Sequence, residues 1–190
     1  MNATLKPALK RAACATVFLL ALFTSVQAQL QERVVEVYKR VQPSGTAALQ
    51  IVEIRVSGTP VTLDAPFVAD DDWLKNLVVR VKNVSGKTIN ILPISFGLSD
   101  LLNEKGRDVA FTVMRGLYGN GYETRDTADE RRPILPDEEV EFAFTEKQLG
   151  IIGQLTSQRG FRPSRIKFMP LTFVTFEDGS RVQTAISYPN

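Results

Sequence analysis

The chain has no histidine and a single cysteine, Cys14, among its 190 residues. Without histidine, neither a Ser-His-Asp nor a Cys-His nucleophile system can form. Zinc, copper and haem sites built on histidine are excluded for the same reason. We therefore expect no catalytic residues and no cofactor, and so a protein that is not an enzyme of these classes.

Long apolar runs are also scarce, and the clearest is AACATVFLLALF at 12–23. Three basic residues, Lys6, Lys10 and Arg11, precede it, and a V-x-A ending at Ala28 follows it. A charged start, a short apolar run and small residues before a cut are typical of a secretory signal peptide. The run is shorter than the about 20 apolar residues that a membrane span needs.

We predict a signal peptide over 1–28, cleaved between Ala28 and Gln29, and a single β-sandwich domain over 29–190. The protein would be exported, to the periplasm or the exterior, and no later segment is apolar enough to predict a membrane span. Removing 1–28 takes away the only cysteine and three of the 23 basic residues, leaving 20 against 21 acidic residues, a net charge of −1. This near-neutral balance does not favour nucleic acid as a partner. Without disulfides, stability has to come from a packed core, for which the length is sufficient.

Period-2 patterns of apolar residues dominate the middle of the chain. NLVVRVKN places Leu77, Val79 and Val81 on one face, and TINILPISFGL follows after the turn residues VSGK. The two segments predict a β-hairpin. In the second, the alternation slips at Leu92–Pro93, which indicates a β-bulge or an edge position.

Further strands flank this pair. AALQIVEIRVSG, DVAFTVM and EVEFAF each predict a strand, the last with Val140, Phe142 and Phe144 facing the core. ERVVEVYKRV fits a helix or a strand, and strand is weakly favoured. Thr145 and Gln148 have the spacing of a helical capping box.

The end of the chain has a helix and a second hairpin. Gly160 suits the C-terminal stop of the helix that starts after Thr145. RIKFMPLTFVTF and RVQTAISY are joined by EDGS, where Asp178-Gly179 predicts a two-residue turn. Pro170 interrupts the first of these strands. Together the segments predict a mainly β fold, an antiparallel immunoglobulin-like β-sandwich with one short helix between late strands.

Three stretches, DDDWLKNLVVRVKNVSGKTI, LPDEEVEF and VTFEDGSRV, resemble a group of exported bacterial proteins of unknown role with an immunoglobulin-like β-sandwich domain. The resemblance covers most of the chain from about Ile51 onward. It implies the fold and export, and it implies no activity.

The segment LYGNGYETRDTADERRP, 117–133, is our first candidate binding site. Loops on a rigid scaffold commonly carry binding residues, and tyrosines offer stacking area with a hydroxyl group. The candidate binding residues are Tyr118, Tyr122, Arg125, Arg131 and Arg132. The alternative is a solvated connection, because the charges of the segment nearly cancel.

Two charged clusters are weaker candidates. Arg159, Arg162, Arg165 and Lys167 form a basic patch for an anionic glycan, lipid headgroup or acidic partner, unless they only complement a helix end. Asp64, Asp70, Asp71 and Asp72 supply oxygen ligands of the kind that calcium prefers, although no EF-hand spacing is present. A solvated turn anchored by Trp73 is the competing interpretation.

We therefore expect an exported, non-catalytic binding or interaction module whose partner is an unknown protein or glycan of the envelope. One alternative is a structural subunit of an envelope assembly. The other is a hydrolase using carboxylates, for example among Asp137, Glu138, Glu139 and Glu141, alone or with a metal.

Overall fold

The computed structural model describes residues 30–37, 47–116, 132–169 and 171–188. Its strands are β1 (Gln31–Val37), β2 (Leu49–Val56), β3 (Thr59–Pro60), β4 (Pro66–Ala69), β5 (Leu77–Asn83), β6 (Ile89–Leu102), β7 (Asp108–Gly116), β8 (Glu139–Phe142), β9 (Arg165–Phe168), β10 (Leu171–Phe176) and β11 (Arg181–Ser187), and its helix is α1 (Glu146–Arg159). The protein is mainly β, as predicted. Within the described ranges, no helix is long and apolar enough to cross a membrane.

The strands follow the order β4-β1-β9-β6-β10-β11-β2-β5-β8, with β3 beside β2 and β7 beside β6. Most neighbours are antiparallel, but β1 runs parallel to β9 and β11 runs parallel to β2. The sheet is therefore mixed, whereas the sequence predicted antiparallel pairing throughout. The difference arises because β1 and β11 pair with strands far away in the chain, which no turn signal can indicate.

The core is a single cluster of buried apolar side chains. It includes the inward faces predicted for the central strands, with Leu77, Val79 and Val81 each at most 1% exposed. Phe96 of β6 packs against Phe144, which follows β8, with ring centroids 5.2 Å apart. The core thus joins side chains from strands that lie far apart in the strand order.

The predicted hairpin between β5 and β6 is wrong. β5 pairs with β2 and β8, while β6 pairs with β7, β9 and β10. The reason lies in the buried Asn83 at the end of β5, whose Nδ2 donates to the carbonyl oxygens of Lys87, Ile134 and Leu135 at 2.8, 3.2 and 3.0 Å. These bonds tie the turn after β5 to the remote segment at Ile134 and Leu135. The chain therefore does not fold back on β5, and β6 joins a different set of strands.

The slip in β6 occurs earlier than predicted. Thr175 pairs with Ile91 and Phe176 pairs with Ile89, so Asn90 is the extra residue of a bulge. Beyond it, Leu92 and Ile94 are fully buried. The bulge shifts the inward face of β6 by one residue before Leu92–Pro93 is reached.

The hairpin of β10 and β11 is confirmed, but its turn differs from the prediction. Within this turn only Gly179 has a positive φ, of 79°. The Phe176 carbonyl oxygen accepts from the Gly179 N–H, and the Phe176 N–H donates to the carbonyl oxygen of Ser180. This is a three-residue loop with a glycine bulge, in which Asp178 does not need left-handed backbone. Pro170 lies outside the described residues.

Helix α1 begins and ends as the sequence predicts. The Thr145 side chain accepts from the Gln148 N–H at 3.2 Å, and the Gln148 side chain accepts from the Thr145 N–H at 3.0 Å, which completes the capping box. Gly160 ends the helix in the left-handed conformation, with φ 64°. Ile152 is buried in the core cluster, and Leu149 and Leu155 pack against that cluster, so the helix is held on the sheet by this face.

Candidate functional site

A groove of about 590 Å³ lies beside helix α1. Helix α1 forms one wall, the Asp71–Lys75 turn forms the other, and the segment Gly160–Pro163 closes one end. We call this feature the α1 groove. Its volume lies within the usual range for ligand sites in proteins, about 300–1,000 Å³.

The α1 groove has an apolar floor and a charged rim. Leu74 and Ile152 are 4% and 5% exposed, and Leu149 and Phe161 are partly buried beside them. The rim has exposed charged groups, Asp72, Lys75 and Glu146. An apolar floor with a few polar groups around it is the usual composition of a binding site.

A network of buried and half-exposed charges supports the wall of the groove. Arg33 of β1 is 1% exposed and donates through Nη2 to Oδ1 of Asp71 at 2.9 Å. Arg162 approaches the other oxygen of Asp71 at 2.5 Å. One carboxylate therefore joins β1, the Asp71–Lys75 turn and the segment that follows α1.

The turn itself is shaped by local hydrogen bonds. Oδ1 of Asp70 accepts from the Asp72 N–H at 3.1 Å, and the carbonyl oxygen of Asp72 accepts from the Lys75 N–H at 2.9 Å. Trp73 is fully buried and meets Phe67 edge to face, with ring centroids 5.6 Å apart. The tryptophan anchors the turn on the core, as the sequence suggested, so the neighbouring charged residues are held at the rim.

The four aspartates considered as a calcium site have separate roles. Asp70 caps the turn, Asp71 pairs with two arginines, and Asp72 lies on the rim of the groove. Asp64 lies near Tyr188, whose pKa is raised to about 12 by burial and then by the Asp64 charge. In the part of the chain that the structure covers, no group of three or more His, Cys, Asp or Glu residues is arranged to hold a metal ion.

The basic patch is divided among acceptors. Arg159 donates to the carbonyl oxygen of Leu102 at 2.8 Å, and Arg162 pairs with Asp71. Arg165 lies 3.4 Å from Glu36, and Lys167 lies 3.6 Å from Asp108. These partners compensate much of the charge, so the four residues do not form one uniformly positive surface.

Of the candidate loop 117–133, only Arg132 and Pro133 belong to the described residues. Tyr118, Tyr122, Arg125 and Arg131 lie outside them. Arg132 pairs with Glu138 and lines a slot of about 210 Å³ together with Arg115 and the outer edge of β8. Arg115 donates through Nε to the carbonyl oxygen of Glu141 at 2.7 Å, which occupies an acceptor on that edge.

No family model, curated protein or solved structure matches this chain. The likeness to exported bacterial proteins with an immunoglobulin-like domain therefore stays a prediction.

Lys75, Glu146 and Gly153 line the α1 groove, and Arg33 supports its wall through Asp71, but the sequence marked none of the four as a site residue. For Gly153 the sequence does carry a signal. A glycine within a helix lowers its stability by roughly 1 kcal/mol relative to alanine. Its presence therefore indicates a role outside the helix backbone. No comparable signal marks the other three, since their relevance comes only from tertiary neighbours.

Proposed function

We propose that the protein is an exported, non-catalytic binding module built on an immunoglobulin-like β-sandwich, and that the α1 groove holds its partner. The observation that carries the proposal is the groove itself, with apolar Leu74 and Ile152 below exposed Asp72, Lys75 and Glu146. Such a surface buries apolar groups and orients polar ones, which is what recognition needs.

The sandwich is supported by the role of β11. Its residues Arg181–Ala185 pair with β10, and its residues Ile186 and Ser187 pair with β2. The strand thereby joins one half of the sheet, which contains β6 and β9, to the other, which contains β2 and β5. A corner strand of this kind lets two halves of a sheet pack face to face over one core.

The state of the carboxylates supports a non-catalytic role over a hydrolase. Asp137 lies 2.9 Å from Lys82, Glu139 lies 3.4 Å from Arg80, and Glu141 lies 2.5 Å from Arg55. Each carboxylate is already paired with a cation on β2 or β5. A general acid must instead hold a proton and present it to the substrate.

Site-specific photo-cross-linking tests the proposal. A photoreactive amino acid is placed at Ser157, in the α1 groove, or at Gln183, an exposed polar position on β11. In cells that produce the protein, Ser157 should give a discrete cross-linked species that Gln183 does not. If the two positions give the same products, the groove is not the site of recognition.

One observation favours the structural subunit as a second candidate. The short strand β4 ends the strand order, and among the described residues it pairs only with β1. Its Val68 is 67% exposed. An open strand edge with an apolar side chain suits assembly, so cross-linking from Val68 to a second copy, without cross-linking from Ser157, would favour this function.

A further inference from the structure

We propose that Arg115 and Gln148 close two adjacent strand edges to other chains, and so keep the protein from associating through β7 and β8. Within the described residues, β7 pairs only with β6, and β8 pairs only with β5. The outer edge of each strand therefore has N–H and C=O groups that no described strand uses. Such groups are a template for pairing with a further chain.

Strand β7 is the longer of the two edges and the more prone to aggregation. It has nine residues, whereas strands of globular proteins commonly have about five or six. Its stretch VAFTVM, 109–114, has no charged residue, proline or glycine and is rich in apolar and β-branched residues. A segment of this composition adds readily to a second copy when its edge is accessible. An open β7 edge would therefore promote aggregation.

Gln148 occupies the outward carbonyl group in the middle of β7. Thr112 lies opposite Ser95, whose carbonyl oxygen accepts from the Met169 N–H on the other side of β6, at 3.1 Å. Because opposite residues of an antiparallel pair bond either to each other or away from each other, Thr112 directs its N–H and C=O away from β6. Nε2 of Gln148 donates to that carbonyl oxygen at 2.9 Å. The amide is held in place because its Oε1 accepts from the Thr145 N–H at 3.0 Å.

Arg115 occupies the corresponding carbonyl group on β8. The carbonyl oxygen of Glu138 accepts from the Asn83 N–H of β5 at 2.9 Å, so alternation along the strand directs the carbonyl group of Glu141 away from β5. Nε of Arg115 donates to this outward carbonyl oxygen at 2.7 Å, and its Nη2 contacts the same oxygen. A strand that paired with the edge of β8 would have to displace the guanidinium group.

The direction of the Arg115 side chain strengthens the block. Side chains alternate along a strand, so Arg115 shares a face with Phe111 and Val113, which are both buried. This face points into the protein, and the guanidinium group therefore crosses from the edge of β7 to the edge of β8. A charged side chain that points inward from an edge strand is one of the devices that prevent strand addition. The two caps are complementary, since β7 caps β8 through Arg115 and helix α1 caps β7 through Gln148.

Self-association of the double variant Arg115→Ala with Gln148→Ala, measured by sedimentation velocity, tests the inference. The variant should associate at least about tenfold more strongly than the unaltered protein, because each lost cap frees a hydrogen-bond acceptor on a strand edge. The matched control is Arg107→Ala with Thr145→Ala. It removes the same charge from an exposed position and the Thr145 side chain from the same capping box, but it leaves both edge contacts in place.

Amide hydrogen exchange locates the new contact. In the associated double variant, the outward N–H groups of Thr112 and Glu141 should exchange more slowly at high protein concentration than at low concentration. The single variant Gln148→Ala gives the same comparison for β7 if circular dichroism shows that the double variant is unfolded. Association no stronger than that of the control, or protection confined to amides outside β7 and β8, would overturn the inference.

Discussion

Trp73 and Arg33 donate to the same acceptor, the carbonyl oxygen of Pro163. Nε1 of the indole and Nη1 of the guanidinium each lie 2.8 Å from that oxygen. Both side chains are almost completely buried, so this one carbonyl group holds the end of the α1 groove against the core. A buried acceptor shared by two donors is costly to lose, because each donor is then left unsatisfied.

The ion-pair network at this point predicts a specific order of stabilities. Asp71→Ala removes the counter-ion of Arg33, whose charge is buried, and should lower the free energy of unfolding by about 3 kcal/mol. Arg162→Ala removes only the exposed member, 56% exposed, and should cost less than about 1 kcal/mol. Adding Arg33→Met to Asp71→Ala should restore part of the loss. Urea unfolding measures the free energy of unfolding of all three variants. Equal losses of stability in Asp71→Ala and Arg162→Ala would contradict the view that Arg33 is the partner that depends on Asp71.

Asn83 is predicted to be a stability centre of the turn between β5 and β6. Its amide donates to three carbonyl groups, and its oxygen accepts from the N–H of Ser85 at 3.0 Å. Asn83→Ala should cost about 2–4 kcal/mol, because these partners lie in or near the core. Asn103 caps an exposed turn through the N–H groups of Lys105 and Arg107, so Asn103→Ala is the matched control. Thermal unfolding should show a clearly larger loss for Asn83→Ala, and similar losses would refute the prediction.

The hairpin of β10 and β11 should respond to acid through Asp178. Hydrogen bonds from the Ser180 side chain and backbone, with Lys87 nearby, lower the pKa of Asp178 from 3.8 to about 2. Because the folded-state pKa is depressed, the contribution of Asp178 is complete above pH 3.8 and is lost as the pH falls through about 2. An NMR titration of the carboxylate should give a midpoint near 2, and Ser180→Ala should raise it towards 3.8. An unchanged midpoint in Ser180→Ala would assign the shift to another cause.

Gly116, at the end of β7, should tolerate no side chain. Its φ is 103°, and a Cβ atom there would lie 2.0 Å from the carbonyl oxygen of Asn90. Gly116→Ala should therefore cost at least about 3 kcal/mol, since the clash is with backbone and adds to the conformational strain. Gly179→Ala has a similar left-handed φ with open space around it, and should cost only about 1–2 kcal/mol. Denaturant unfolding of the two variants separates the steric cost from the conformational cost. An equal loss of stability in both would contradict the prediction, because it would mean that the backbone at Asn90 moves away from the added methyl group.

Local features of the fold were predictable from the sequence because neighbouring residues specify them. The inward face of β5, the capping box of Thr145 and Gln148, and the hairpin around Gly179 all depend on spacings of a few residues. The pairing of β5 was not predictable in this way, because Asn83 bonds to carbonyl groups 51 and 52 residues further along the chain. The turn sequence VSGK is compatible with a hairpin, and only these remote bonds direct it elsewhere.

The candidate site was less predictable still. The aspartates at one wall were visible as a cluster, but Arg162 lies 91 residues from Asp71, and Pro163 lies 130 residues from Arg33. Nothing in the spacing of charges distinguishes an aspartate paired with two arginines from one that stays on the rim. The groove is a product of packing, so its residues share no sequence pattern.

The position of β11 makes completion of the core depend on a strand that follows all the other described strands in the chain. Until Arg181–Ser187 has emerged, β10 and β2 lack the strand that lies between them. The earlier strands then present open edges until β11 has joined them. Native pairing of β10 and β2 with their shared neighbour is consequently a late, long-range event of folding, and a chain that still lacks β11 is exposed to aggregation.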